Sequence, residues 1–461
     1  MLASFVADLK PQDVPEAVRQ HCGILTADSV ACTIGALRTV EGRAIARALH
    51  RPGVRPEGRS LTYRVYQTAD ALTGVHIDSS LGNLLDFDDV YEGSGHVGCM
   101  VIPPALRLGA IIGATNDDVV AALVAGFEVS ARMLEASRPS ETARAQIWGI
   151  GSRLAPATAA VAARLLGLGR AATTHALALA CATAPVASVR KTVYGGSGVT
   201  WVKNNFGIAA TGGVAAALMA GEGARGPLDI LEGPDGFARM IGTDRWVPTL
   251  LTDGLGEAWT LPRIGLKPYP CCRHAHAVID AALQCLRDLG VSPTDVDEII
   301  VAGPVWIHGA PFTNFMPATM HDAQYSIAYG VAVALLGIEP GVAWFERATL
   351  DRADVRALAS RVRLEPQPGG GSGGRVRLVA AGHATTAEVS APRGSPVVPL
   401  TEAEQRAKYM TLVSGPMDDR PAARTYGDLR ALRFDPNPRT LVAMLPEIDL
   451  QAEDPAQVAV S

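Results

Sequence analysis

The spacing of apolar residues predicts that the first 260 residues are mostly helical. In the opening segment Val18, Cys22 and Leu25 recur every three or four residues, so that they share one face of a helix. The same spacing predicts further helices at residues 69–85, 155–167, 170–182 and 206–220, after Pro103-Pro104 as far as Gly113, and after an Asn116 cap. Residues 51–61 are rich in Pro, Gly and Arg, which predicts a loop.

The pattern changes near Lys267. The next predicted elements are helices after Pro270 as far as Gly290 and at residues 322–337, and a strand at residues 298–302. On both sides of a glycine-rich tract at residues 369–374, apolar residues alternate with arginines, which predicts a hairpin with a flexible tip. Residues 267–391 therefore form a smaller α+β unit, and a helical pattern returns at residues 402–412. The predicted fold class is mostly α with an α+β part.

Composition and charge narrow the class of function. The chain has 461 residues, 48% of them apolar and only 19% charged, which is typical of two or three globular domains. Its 41 basic and 46 acidic residues give a net charge of −5, so nucleic-acid binding is not expected. No apolar run is long enough to predict a membrane span, and the start does not resemble a signal peptide. Seven scattered cysteines indicate a reduced, cytoplasmic protein.

The densest polar cluster combines Asp86, Asp88 and Asp89 with His96. A carboxylate can fix the tautomer of an imidazole and tune it for general acid–base work. Two other interpretations stay open, a solvated helix end beside a loop histidine and a site for a hard cation. The metal interpretation is the weaker one, because no second carboxylate cluster occurs elsewhere, and we predict no metal.

A second cluster runs from Lys267 to His276, Lys-Pro-Tyr-Pro-Cys-Cys-Arg-His-Ala-His. A helix start binds anions through its free N–H groups, and Arg273 adds a fork for a carboxylate. His276 could supply a second acid or base. The alternative is a purely structural helix start, and zinc is disfavoured because adjacent cysteines cannot easily share one tetrahedral ion.

Two further segments contain side chains that could bind a substrate or transfer a proton. Lys203 precedes a helix of small residues and could meet an anionic substrate, although a solvated lysine is the commoner case. Tyr325 and Tyr329 lie four residues apart on one helical face, so one could pack in the core while the other donates a proton.

These stretches occur in an order that resembles the MmgE/PrpD family. The resemblance is carried by Leu85 to Pro103, with its Leu-Asp-Phe-Asp-Asp start and histidine loop, by Lys267 to His276, by Ala323 to Leu336, and by Pro399 to Glu404. It implies a large all-helical domain at residues 1–266, an α+β lid domain at residues 267–395, and a segment at residues 396–461 that returns to the helical domain. It also implies a homodimer without a cofactor.

The resemblance further implies a set of catalytic residues between the domains, namely Asp86, His96, His276 and Tyr329. In this interpretation His96, oriented by Asp86, moves a proton alpha to a carbonyl or carboxylate of a small molecule. Lys203, Lys267 and Arg273 bind the substrate and stabilise the developing enolate. The predicted activity is that of a lyase or isomerase, with dehydration, decarboxylation or epimerisation as outcomes.

Three departures from the family pattern predict an unusual substrate. Val90 stands where the family has threonine, Trp148 or Gly149 stands where it has histidine, and residues 203–207 lack a further histidine. These losses favour a less charged substrate whose apolar part packs near Trp148, as in a tailoring isomerase, cyclase or lyase. The alternatives are a degenerate binding protein and, with little support from the 5% aromatic content, a terpene-cyclase-like use of Asp88.

Overall fold

Helices dominate the computed structural model. The structure describes residues 1–49, 62–66, 70–91, 95–140, 143, 149–186, 189–194, 198–201, 203–303, 309, 311–366, 373–433 and 438–450. Its helices are α1 Leu2–Asp8, α2 Glu16–Ala36, α3 Val40–Leu49, α4 Ala71–Leu84, α5 Gly98–Ile112, α6 Asn116–Ala136, α7 Ile150–Leu165, α8 Arg170–Ala182, α9 Val189–Thr192, α10 Phe206–Gly221, α11 Phe237–Met240, α12 His276–Leu289, α13 Met320–Tyr325, α14 Ile327–Leu335, α15 Arg347–Leu350, α16 Ala353–Ala359, α17 Glu402–Val413, α18 Asp419–Arg430 and α19 Pro438–Met444. The expected class, mostly α with an α+β part, is confirmed.

The helical part packs closely around α7, which contacts α6, α8, α10 and α5. Small residues make these contacts short. A Cβ atom on Gly213 of α10 would lie 2.5 Å from the carbonyl oxygen of Ala155 in α7, so glycine is needed there. The helix α4, which leads into the acidic cluster, packs against α5, α10 and α2. Its first turn is capped by Asp70, whose carboxylate accepts hydrogen bonds from Leu72 and Thr73 N–H.

Two helix starts differ from the prediction. The cap of α6 is Thr115, one residue before Asn116, and it forms a capping box with Asp118. The helix α5 begins at Gly98 and contains Pro103 and Pro104 in its interior. Pro104 has no N–H for the carbonyl of Met100, and the Thr158 hydroxyl of α7 donates to that carbonyl instead, at 2.8 Å.

The α+β unit contains a four-stranded sheet. The strands of the structure are β1 Thr62–Arg64, β2 Val90–Tyr91, β3 Ile264–Gly265, β4 Val296–Gly303, β5 Val362–Pro366, β6 Gly374–Ala380, β7 His383–Val389 and β8 Glu447–Asp449. The sheet order is β5-β4-β6-β7, with β4 parallel to β5 and antiparallel to β6. The helix α12 covers β6 and β7.

The hairpin expected across the glycine-rich tract was wrong, because β4 lies between its two arms. The hairpin of this sheet is formed by β6 and β7, and its two-residue turn is Ala381-Gly382. Both turn residues have positive φ, 49° and 78°, which matches the twist of the flanking strands. Residues 369–372 of the predicted tip and the predicted loop at residues 51–61 lie outside the described residues.

The C-terminal helices pack back on the N-terminal ones, since α17 and α18 both contact α2. The helix predicted at residues 322–337 is divided at Ser326, whose hydroxyl caps α14 through Tyr329 N–H. Among the described residues, no helix combines the length and the apolar run that crossing a bilayer requires.

Candidate active site

A short strand pairing joins the two main sequence motifs. The strand β2 follows the acidic cluster, and Val90 pairs with Gly265 of β3. Because Lys267 comes two residues after this pair, its side chain reaches the acidic turn although 181 residues separate it from Asp86. The turn itself begins where α4 ends, and Asp86 takes the left-handed conformation with φ of 51°. This conformation is uncommon for a residue with a side chain and is frequent at functional sites.

The Asp86 carboxylate lies between three cationic or protonatable groups. Its Oδ1 atom is 3.2 Å from Lys267 Nζ, 3.4 Å from Lys203 Nζ and 3.3 Å from His96 Nε2. Burial disfavours its charge, but the two lysines and His96 outweigh burial and hold the pKa of Asp86 far below its ordinary value. The side chain is therefore an ionised carboxylate, ready to orient an imidazole. Burial lowers the pKa of Lys203, in spite of Asp86.

His96 lies between two carboxylates. Its Nδ1 atom is 3.0 Å from Oδ1 of Asp88, although the two groups are not aligned as a hydrogen bond. Asp88 is fully buried and accepts a hydrogen bond of 2.8 Å from the Asn83 amide. An imidazole with a carboxylate at each nitrogen can hold a proton on either side.

Asp89 has a structural place at the start of α5. Its carboxylate accepts hydrogen bonds from the N–H groups of Val97 and Gly98, at 2.9 Å and 2.8 Å, which satisfies donors that the helix leaves free. Burial and the neighbouring Asp88 raise the pKa of Asp89 to about 8. The three acids of the cluster thus have different partners: cations for Asp86, an amide and an imidazole for Asp88, and a helix start for Asp89.

A cavity opens beside Asp86 and His96. The polar part of its wall includes Lys267, Arg273 and His274, which suit an anionic group. The rest of the wall is largely apolar or aromatic, and includes Val90, Ile150, Val189, Tyr194 and Tyr325. The wall thus combines cationic side chains with apolar ones.

His276 and Tyr329 lie elsewhere than the sequence interpretation assumed. His276 is fully buried; its Nε2 donates to the Cys271 carbonyl at 3.1 Å, and its Nδ1 lies 3.3 Å from an Arg273 nitrogen. Burial and Arg273 hold the pKa of His276 well below its ordinary value. The hydroxyl of Tyr329 donates to the carbonyl of Trp344, and burial raises its pKa. Both side chains are engaged within the α+β unit.

The cavity wall instead contains the neighbours His274 and Tyr325. The sequence signal for His274 was present, since it belongs to the same motif as His276. A 3-10 turn at Arg273–Ala275 precedes α12, however, and the sequence did not indicate which histidine this turn would direct to the cavity. Likewise, the break at Ser326 separates Tyr325 from Tyr329, which a continuous helix would have kept on one face.

Lys203 lines a second cavity, next to the first. Asn204 borders both cavities and donates to the Asn83 amide oxygen at 3.0 Å. Lys203 Nζ also donates to Gln324 Oε1, at 2.7 Å. Gln324 in turn donates to the Leu84 carbonyl at the end of α4. A polar network, which the sequence interpretation did not include, therefore connects the end of α4 with α13 through Lys203 and Gln324.

Two predictions about the site remain, one on Trp148 and the histidine loop and one on a metal ion. Trp148 and residues 92–94 of the histidine loop lie outside the described residues. Among the described residues, the ligand atoms of Asp86, Asp88 and His96 lie within 4.8 Å of one another, as in a metal site. The ammonium groups of Lys203 and Lys267 beside Asp86 disfavour a further cation at this place.

Comparison with known proteins agrees with the motifs. The MmgE/PrpD N-terminal domain matches residues 1–248, and the MmgE/PrpD C-terminal domain matches residues 269–426. The cis-aconitate decarboxylase-like protein oryM of Aspergillus oryzae is 25% identical, over 96% of both chains. Cis-aconitate decarboxylase of Aspergillus terreus is 25% identical over 91% of this chain and 89% of its own. The human cis-aconitate decarboxylase is 27% identical over 62% of this chain and 59% of its own.

These relatives are lyases, and the two domain matches cover most of the chain. The protein is accordingly an enzyme of lyase type, and it belongs to the MmgE/PrpD family.

Proposed function

We propose that this enzyme is a cofactor-independent lyase that moves a proton at the carbon alpha to a carboxylate. The observation that carries the proposal is the contact between His96 Nε2 and the ionised Asp86, at 3.3 Å, on the wall of a cavity that also holds Lys267 and Arg273. An imidazole oriented by a carboxylate is suited to proton transfer, and fixed cations are suited to the charge of an enolate.

In the proposed mechanism Arg273 and Lys267 bind the carboxylate of the substrate. His96 takes a proton from the alpha carbon, or delivers one to it, while Asp86 stabilises the protonated ring. A second group on the wall assists departure of the leaving group, or acts at the opposite face of the alpha carbon. His274 and Tyr325 are the candidates for this group. These two take the roles that the sequence interpretation gave to His276 and Tyr329. Return of the proton to the opposite face would make the same site an isomerase.

The wall favours a substrate with fewer carboxylates than cis-aconitate. Val90, Ile150 and Val189 offer no partner for a second or third carboxylate, and a buried charge without a partner is costly. An alkyl or aryl arm could pack there instead. We therefore propose a mono- or dicarboxylate with an apolar arm as the substrate class.

The test is a panel of acids incubated with the enzyme in deuterated water. It contrasts cis-aconitate, citrate, methylcitrate and iminodisuccinate with carboxylates that carry an alkyl or aryl arm, and NMR follows deuterium incorporation and product formation. We expect turnover of an acid with an apolar arm, and a loss of about 10²- to 10⁴-fold in His96→Ala.

The matched control is His383→Ala, because His383 is exposed at the start of β7. Its activity should equal that of the unmodified enzyme. Rapid turnover of the tricarboxylates would reject the proposed substrate class while leaving the lyase proposal intact. Equal activity in the His96→Ala and unmodified enzymes would reject the proton-transfer role, and absence of exchange with every acid would favour a binding protein.

We also propose that the enzyme is a cytoplasmic homodimer. The helix α10 contains no charged residue and exposes Ile208, Leu218 and Met219, which supports burial of this face against a second copy. All seven cysteines are free thiols, which supports a reducing compartment. Light scattering should give twice the mass of the chain, and Ile208→Glu together with Met219→Glu should give monomers.

A further inference from the structure

Two buried lysines hold successive carbonyl groups of the acidic turn. Lys267 Nζ donates to the carbonyl of Asp86 at 2.9 Å, and Lys408 Nζ donates to the carbonyl of Phe87 at 2.6 Å. Lys267 belongs to the motif after β3, whereas Lys408 lies in α17 and is 321 residues away from Phe87 in the chain. The turn is thus held by ammonium groups from two separate segments.

The surroundings of Lys408 show a built interaction. Its side chain is 5% exposed, and its Nζ atom lies 4.1 Å from the centre of the Phe87 ring. The same nitrogen is 2.6 Å from Oδ1 of Asp28, on α2. Burial raises the pKa of Asp28 in spite of Lys408, and the neighbouring Asp88 raises it further.

The backbone of the turn needs such support. Asp86 is left-handed, and only a fixed backbone around it directs its carboxylate toward Lys203, Lys267 and His96. A charge-assisted hydrogen bond to the next carbonyl restrains the turn through a residue that does not line this cavity. Small displacements of a reacting group have large effects on rate.

We propose that Lys408 is a positioning residue, which holds the acidic turn through the Phe87 carbonyl so that Asp86 can orient His96. This inference rests on the proposed roles of Asp86 and His96 in proton transfer. It extends the working site to the C-terminal helices, which do not line the cavity.

The competing explanation is that Lys408 only neutralises Asp28. Two variants separate the explanations. Lys408→Met leaves Asp28 buried without its cation, so it should lower the melting temperature. The double variant Asp28→Asn/Lys408→Met removes both charges and should recover most of that loss, because a neutral pair is cheaper to bury than one charge. The Phe87 carbonyl still lacks its donor in the double variant.

We expect the double variant to fold and to lose about 10- to 100-fold in kcat, with KM changed by less than about threefold. Lys408→Arg retains a cationic donor and should recover part of the activity at unchanged melting temperature. A double variant with full kcat would overturn the proposal and leave Lys408 as the structural partner of Asp28.

A second readout does not depend on the substrate. In protein labelled at histidine, the ring signals of His96, assigned with His96→Gln, should move in the double variant, while those of the exposed His383 should not. Unchanged His96 signals would also overturn the proposal. If no acid is turned over, this readout still decides the positioning role, so that failure of the proposed function and failure of this inference remain distinguishable.

Discussion

Two buried carboxylates, Asp78 and Asp86, are close together in the chain but have different surroundings. Asp78, in the middle of α4, accepts two hydrogen bonds from Arg107, at 2.9 Å and 2.5 Å, and one from Tyr63 at 2.7 Å. Asp86, just after α4, has two lysines and a histidine around one oxygen. Burial raises the pKa of Asp78 in spite of Arg107, whereas the cations lower that of Asp86.

The difference distinguishes a structural ion pair from a candidate catalytic one. The planar guanidinium of Arg107 fits its carboxylate, and both side chains are fully buried. Asp86 is instead surrounded by two lysines and His96, and Lys267 and His96 also line a cavity. A cation on the wall of a cavity can bind an anion, which a closed pair cannot do.

The largest expected effect is on stability. Asp78→Asn leaves the Arg107 guanidinium buried without a counter-charge, so the free energy of unfolding should fall by about 3–5 kcal/mol. Urea unfolding followed by circular dichroism measures this change. The control Tyr63→Phe removes two hydrogen bonds, one to Asp78 and one from Arg107, but no charge, and should cost only about 2 kcal/mol. Equal losses in the two variants would contradict the importance of the charge.

Asp86→Asn should also destabilise the fold by several kcal/mol, because it leaves Lys203 and Lys267 without their carboxylate. Because Asp86 borders a cavity, added formate should bind beside Lys267 in this variant. It should restore about 1–2 kcal/mol of the lost free energy of unfolding. Formate should not stabilise Asp78→Asn, because Asp78 lines neither of the two cavities described above. Thermal unfolding with and without formate measures both, and an equal response of the two variants would remove the distinction drawn above.

The pH dependence of stability should depend on Asp89. Its pKa is about 8 in the fold against an ordinary 3.8, so its contribution is complete below about pH 4 and is lost as the pH rises toward 8. Asp89→Asn removes this loss and retains an acceptor for Val97 and Gly98. Relative to the unmodified protein, the variant should gain about 2 kcal/mol between about pH 6 and pH 8.

The measurement is thermal unfolding of both proteins at about pH 6 and about pH 8. Asp13→Asn, which changes an exposed carboxylate, is the control. A difference between Asp89→Asn and the unmodified protein that does not change with pH would mean that Asp89 is ionised throughout.

The smallest expected effect concerns specificity at the cavity wall. Val90→Thr adds a hydroxyl group where the wall is apolar, and it should shift the kcat/KM ratio toward the more highly charged acid by up to about tenfold. Competition between two acids in one reaction measures the ratio. Val189→Thr introduces the same change at another part of the wall and shows whether the position or the polarity matters.

Local patterns in the sequence were sufficient for much of this molecule. Helical spacing indicated α8 at residues 170–182 with its observed bounds, and the helix expected at residues 402–412 is α17, Glu402–Val413. The resemblance also named Asp86, His96 and Lys267, because short motifs carried these residues. Each of these predictions depends on neighbours within about ten positions of the chain.

Tertiary structure decided the rest. The sequence could not show that β4 separates β5 from β6, because pairing between distant strands depends on the whole sheet. It could not choose His274 over His276 or Tyr325 over Tyr329 as cavity residues, since a 3-10 turn and a break at Ser326 determine their directions. Nor could it connect Lys408 with Phe87. The sequence by itself therefore determined which groups can do chemistry, and the packing of distant segments determined which of them meet.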